Sequence, residues 1–140
     1  MSMRKDLASN LDSGISIVPA QYTATETGDE VSVVGKGQEV MIVIPIGAVA
    51  AADASNRFTF TVTQATSSGG SFTAADSGQY DWIEGDGYIN ATTEADSVMT
   101  CNFYLKPTYD FLKIVATENG TADAIFGALF LKPGRHNPVA

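Results

Sequence analysis

The side chains able to do chemistry are few, and their spacing gives them little to work with. His136 is the single histidine of the 140-residue chain and stands two places before Pro138. A Ser-His-Asp or Cys-His arrangement would have to hold its base in that tail, whereas a working site keeps such a group within about half an ångström of its productive position. His136 therefore reads as a surface or interface residue. Cys101 is the only cysteine and lies in Val98-Met99-Thr100-Cys101-Asn102-Phe103-Tyr104, a strand-like run. It has no partner for an internal disulfide and reads as a buried thiol that packs as a small hydrophobe. One cysteine and one histidine cannot assemble the preferred ligands of zinc.

Asp81, Glu84 and Asp86 are interleaved with Gly85 and Gly87 next to the only tryptophan, Trp82. Their oxygens could be offered to calcium, but the spacing lacks the longer alternating run and distal glutamate of an EF-hand loop. Glu84 and Asp86 are also the sharpest enzyme candidate, as paired carboxylates of a glycosidase with Trp82 as the sugar platform. The plainer reading, a solvated acidic loop, is preferred. Gly35-Lys36-Gly37 is too short for a phosphate cradle. Asn90-Ala91-Thr92 and Asn119-Gly120-Thr121 match a glycosylation sequon but read more simply as turns. The expectation is a protein without enzymatic activity, metal or cofactor.

The elements that would carry these residues are strands. Arg57–Gln64 alternates without a break, with Phe58, Phe60 and Val62 on one face and Thr59, Thr61 and Thr63 on the other. Ser67–Gly70 is a turn, and Ser71–Ala74 begins a return strand. Further strands are predicted over Ile15–Tyr22 (Pro19 marking an edge or bend), Glu30–Val34, Tyr88–Thr92, Ser97–Leu105, Tyr109–Thr117 and Ala122–Lys132. Asn119-Gly120 is a dipeptide favoured in tight hairpins, and Asp76–Gly87 reads as a loop. Eight or nine strands at these spacings predict an all-β fold, a single-domain antiparallel β-sandwich or jelly roll over residues 1–140. Residues 1–14 are expected to form an N-terminal arm and residues 133–140 a C-terminal tail.

The most apolar stretch, Glu39–Ala52, contains Val40-Met41-Ile42-Val43-Ile44-Pro45-Ile46. β-branched residues and Pro45 favour a strand over a buried helix. A run apolar on both faces predicts a central strand covered on both sides. A sandwich core covers only one face of each sheet, so a loop, an arm or another subunit is expected over the other.

Composition narrows the partners. Hydrophobic residues make up 44% of the chain and charged residues only 17%, against an ordinary charged share of about a quarter. Sixteen acidic residues face eight basic ones, for a net charge of −8. No basic run exceeds Arg4-Lys5, so nucleic-acid binding is not expected. No segment reaches the roughly 18 apolar residues of a membrane span, and Met1–Leu11 lacks the apolar core of a signal peptide. These features predict a chain made and used, or assembled, in a reducing cytoplasm.

Three segments together resemble a family of small virion proteins of tailed bacteriophages and prophages. They are Phe58–Gln64 with its Ser/Gly turn and Ser71-Phe72-Thr73-Ala74, then Tyr109–Thr117, then the close of the chain from Gly127-Ala128 through Lys132–Ala140. The opening Lys5–Ile17 segment leading to Val18-Pro19-Ala20 is also similar. Where members of the family often carry an Arg-Tyr pair before the penultimate strand, this chain has Tyr109-Asp110. The resemblance implies a head decoration, or cement, protein assembled in the host bacterial cytoplasm, and the net charge of −8 favours the outer capsid surface, away from packed DNA phosphates. Its implied partners are the major capsid protein and copies of itself, as a homotrimer. The contact residues expected are Met3, Arg4 and Lys5 in the arm, Arg135 and His136 in the tail, and Val40, Ile42 and Ile44 in the apolar strand. The alternatives are a tail or head–tail junction protein and, from another class, a carbohydrate-binding module in which Trp82, Tyr80 and Tyr88 stack on sugars.

Overall fold

Apolar–polar alternation makes strands wherever the sequence shows it most clearly. Along Arg57–Ala65, Phe58, Phe60, Val62 and Gln64 are buried while Thr59, Thr61 and Thr63 face outward. The computed structural model describes residues 11–133. Its strands are β1 Leu11–Tyr22, β2 Glu26–Thr27, β3 Val31–Ser32, β4 Glu39–Ala51, β5 Arg57–Ala65, β6 Thr73–Ala74, β7 Tyr80–Glu84, β8 Tyr88–Ile89, β9 Ser97–Tyr104, β10 Phe111–Asn119 and β11 Asp123–Pro133. Two 3-10 turns, Ser77–Gln79 and Thr92–Glu94, are the only helical pieces among the described residues.

All strand pairs are antiparallel and form two packed sheets. One has the order β1-β11-β4-β9-β7; the other is β2-β10-β5-β6, with β3 also on β10 and β8 also on β5. The chain passes from one sheet to the other at nearly every connection, so that its first and last strands become neighbours. That is the expected β-sandwich, wound in the manner of a jelly roll. Phe126 of β11 ties the layers together, its ring 4.9 Å from Phe58 and 5.0 Å from Phe60 across the core and 4.8 Å from Tyr22. Edge-on aromatic contacts of this kind add about 0.5–1.5 kcal/mol each beyond area burial.

Some local expectations change. Residues 11–14, assigned to the arm, are strand, because Leu11 to Gly14 pair in register with Pro133 to Phe130. Asn119-Gly120 closes no hairpin: β10 and β11 lie in different sheets, and the dipeptide carries the chain between them. Trp82 sits on β7 rather than in a loop, and its strand borders the five-stranded sheet through pairing with β9. A one-residue bulge at Ile83 hides this strand, since Ile83 and Glu84 both face outward and break the period.

Two hydroxyls hold the edges of the sandwich closed. Val62 of β5 and Ile114 of β10 are register partners at the centre of the six-stranded sheet, and their backbone groups point away from each other. Neither finds a full strand on its far side, because β2 and β3 flank a gap on β10, and β6 and β8 flank one on β5. Ser16 of β1 fills the first gap: the Ile114 N–H donates to its Oγ at 2.9 Å, and that hydroxyl donates to the Asp29 carbonyl at 2.9 Å. Gly28 permits the approach, as a Cβ there would lie 2.3 Å from Ser16 Oγ. Tyr80 of β7 fills the second, its hydroxyl accepting from the Val62 N–H at 2.7 Å. An unmet buried N–H costs about 1–3 kcal/mol. Ser16→Ala and Tyr80→Phe are each expected to lower unfolding free energy in urea by about that much, while Ser13→Ala, on the exposed side of β1, stays within about 0.5 kcal/mol. Losses no larger than that of Ser13→Ala would remove the clasp.

Candidate functional site

The reactive residues do not converge. Cys101 is fully buried on β9, and burial pushes its thiol up to about 11 from an ordinary 9.0. Glu84 faces outward opposite Thr100, while Asp86 accepts the Tyr88 N–H at 3.1 Å and so builds the turn out of β7. The two carboxylates are thus divided between a sheet face and a turn. Among the described residues, no three His, Cys, Asp or Glu side chains are grouped to hold a metal ion. His136, Arg135, Met3, Arg4 and Lys5 lie outside the described residues.

The three aromatics proposed as a sugar platform are split by β8. Tyr80 and Trp82 stack nearly parallel, 3° between planes with centroids 6.4 Å apart. They line a shallow groove of about 440 Å³ with Thr61, Ala74, Ala75 and Ser77. Tyr88 instead lies on the outer face of the six-stranded sheet under the Arg57 guanidinium, 4.6 Å from its centroid. Gly87, at φ +87°, is held so close to the indole that a Cβ would come 2.7 Å from Trp82 Cζ2. With Tyr80 on one side and Gly87 against its ring, Trp82 is packed as a wall of the sandwich edge. The Tyr80 hydroxyl is already committed to Val62, and burial raises its pKa.

Val40, Ile42 and Ile44 must be corrected as contact residues. They alternate onto the inner face of β4 and are buried in the core, as is Ile46. β4 is central, between β11 and β9, as a doubly apolar run predicts. Its outward residues are Met41, Val43 and Pro45; Met41 and Val43 meet apolar side chains on β11, while on β9 they lie beside the polar Asn102 and Thr100. The register sets Ile15 beside Leu129 and Leu129 beside Val43, Leu131 beside Met41, and Pro45 beside Val98. Ile15, Val18, Met41, Val98 and Ile125 are 36–60% exposed.

The other outer face is different in kind. There Thr59, Thr61 and Thr63 of β5 lie opposite Thr117, Val115 and Lys113 of β10, and the Lys113 ammonium rests 4.2 Å from the Phe72 ring centroid. One sheet is dressed for water and the other is not. At about 4.8 Å between strands and 3.4 Å per residue, the apolar strip over β1, β11, β4 and β9 covers roughly 20 Å by 15 Å. A patch of that extent matches the largest apolar patch of an ordinary monomer, which is often functional. The excess of apolar strand was visible in the sequence; which residues it exposes was not.

No family model, curated protein or solved structure matches the chain.

The buried thiol and phenol make a pH prediction. Both folded-state pKa values are raised, so their contribution to stability is whole below the unfolded values and declines as pH rises through the folded ones. Stability is expected to fall from pH 9 to about 11, and Cys101→Ala to flatten that fall, as read by denaturant unfolding at each pH. At pH 8 the native thiol is expected to resist a disulfide reagent that labels it at once in denaturant. Rapid labelling of the native protein would contradict the burial.

Proposed function

We propose that this protein is a non-enzymatic assembly component of a tailed-phage virion, a decoration or cement protein bound to the outside of the head. The observation that carries the reading is the apolar outer face of the five-stranded sheet, from Ile15 across Leu129 to Val43, with Met41, Pro45 and Val98 beside that row. A stable interface buries about 800 Å² on each partner, with an apolar centre and a polar rim. The strip supplies a centre of suitable size. A repeated shell multiplies each such contact, so a modest free energy per site adds up over the head.

Three further features support the reading. The segment resemblance points to small phage virion proteins. The net charge of −8 favours the outer surface, since a protein lining the lumen would face packed phosphates. Leu11 pairs with Pro133, so both terminal segments start from one corner of the apolar sheet, beside Leu131. The jelly-roll winding carries no weight by itself, because capsid and lectin domains share it.

The test uses heads of the encoding phage or prophage, assembled with this gene deleted. Purified protein is expected to bind them saturably and to raise the temperature at which they rupture. Met41→Lys and Val98→Lys, both at exposed positions, are expected to leave stability within about 0.5 kcal/mol and to abolish binding. Recovery on tails, with none on heads, would replace cement by a tail role. Binding to neither would end the proposal.

A further inference from the structure

We infer that the outer face of the five-stranded sheet docks a protein surface presenting apolar side chains bordered by lysine or arginine; this rests on the assembly role proposed above. The argument is the distribution of charge around the strip. Glu39 stands at one end of β4, Asp123 at the opposite end beside β1, and Asp81 and Glu84 along the β7 border. Each alternates outward with its strand. Between them lie Met41, Val43, Leu129, Leu131 and Val98, without a charge.

Four of the five described cations are engaged elsewhere, and the fifth, Lys36, stands in the connection between β3 and β4. Lys132 points inward and is buried, donating to the Ser32 carbonyl at 3.2 Å. Lys106 is paired with Asp76, Lys113 is set over Phe72 and Arg57 over Tyr88. Residues 11–133 contain five basic side chains against fifteen acidic ones. Among the described residues the border of this face is acidic, and a partner carrying positive charge complements it.

The same distribution selects against a second copy in the same orientation. Two such faces pressed together would bring their acidic borders together, and like charges across an interface are strongly disfavoured. Stacking on the other sheet of a neighbour fails for a separate reason. That surface is lined with threonine, and its Arg57 and Lys113 already cover aromatic rings. A foreign surface with an apolar ridge and a basic margin meets both requirements. The apolar centre then supplies affinity, while the acidic frame sets orientation and association rate.

Two probes test this. The first is a synthetic peptide of alternating valine and lysine, with a valine–glutamate peptide as control, titrated into the methyl-labelled full-length protein. Saturable shifts are expected at Val43, Leu129 and Ile125 and not at Val115 on the other face. Affinity is expected to fall at least about tenfold between about 0.05 M and 0.5 M salt. It should fall similarly in Asp81→Lys/Glu84→Lys, and the glutamate peptide should not bind. Equal binding of both peptides, shifts centred on Val115, or indifference to the charge reversal would overturn the inference. So would self-association through this face in sedimentation, because it would make a second copy the occupant. The second probe is the gene-deleted head. Heads that take wild type and the charge-reversed protein equally well refute the basic margin and leave the assembly role intact. Heads that take neither, with the lysine peptide still binding at the strip, refute the assembly role and uphold the basic-margin preference.

Discussion

The arrangement depends on satisfying two backbone N–H groups at the centre of the six-stranded sheet. Val62 and Ile114 face away from each other toward strands too short to reach them. A buried amide is seldom left unmet. Ser16 and Tyr80 answer the demand from β1 and β7, the two borders of the opposite sheet. Each bond therefore joins the layers as well as completing a strand. Between these two clasps, the packing of Phe126 on Phe58 and Phe60 is held in a defined alignment.

Closing the edges has a consequence for what remains available. Exposed strand edges invite pairing with other chains, and here hydroxyls, short strands and the acids of β7 blunt them. The broad outer faces are then the surfaces left for recognition. Their chemistry divides sharply, with threonine and ring-bound cations on one and aliphatic side chains inside a carboxylate frame on the other. The second face keeps its apolar centre free of charge although the molecule is strongly acidic.

The aromatic residues follow the same logic. Trp82 and Tyr80 could have formed a recognition platform, and their stacking would fit one. Yet the Tyr80 hydroxyl is tied to Val62 and the Trp82 ring is packed against Gly87. Their surface is used to close the sandwich edge, and Tyr88 is turned to the far side of β8. The carboxylates nearby serve as a rim and a turn.

Alternation in Arg57–Gln64 determined a strand and its buried face without help from the rest of the chain, because side-chain direction reverses at every residue. The excess of apolar residues in Val40–Ile46 likewise determined a central strand with more greasy surface than one core face absorbs. Which half of those residues turned inward could not be read, since both faces of the run are apolar and only packing against β5 and β10 breaks the tie. It sent Val40, Ile42 and Ile44 to the core and left Met41, Val43 and Pro45 outside. Asn119-Gly120 announced a turn but not its destination, because the same dipeptide serves a hairpin or a crossing between sheets. The outer strip and the two hydroxyl clasps belong to tertiary structure alone: their members lie up to about a hundred positions apart, and only the strand order brings them together.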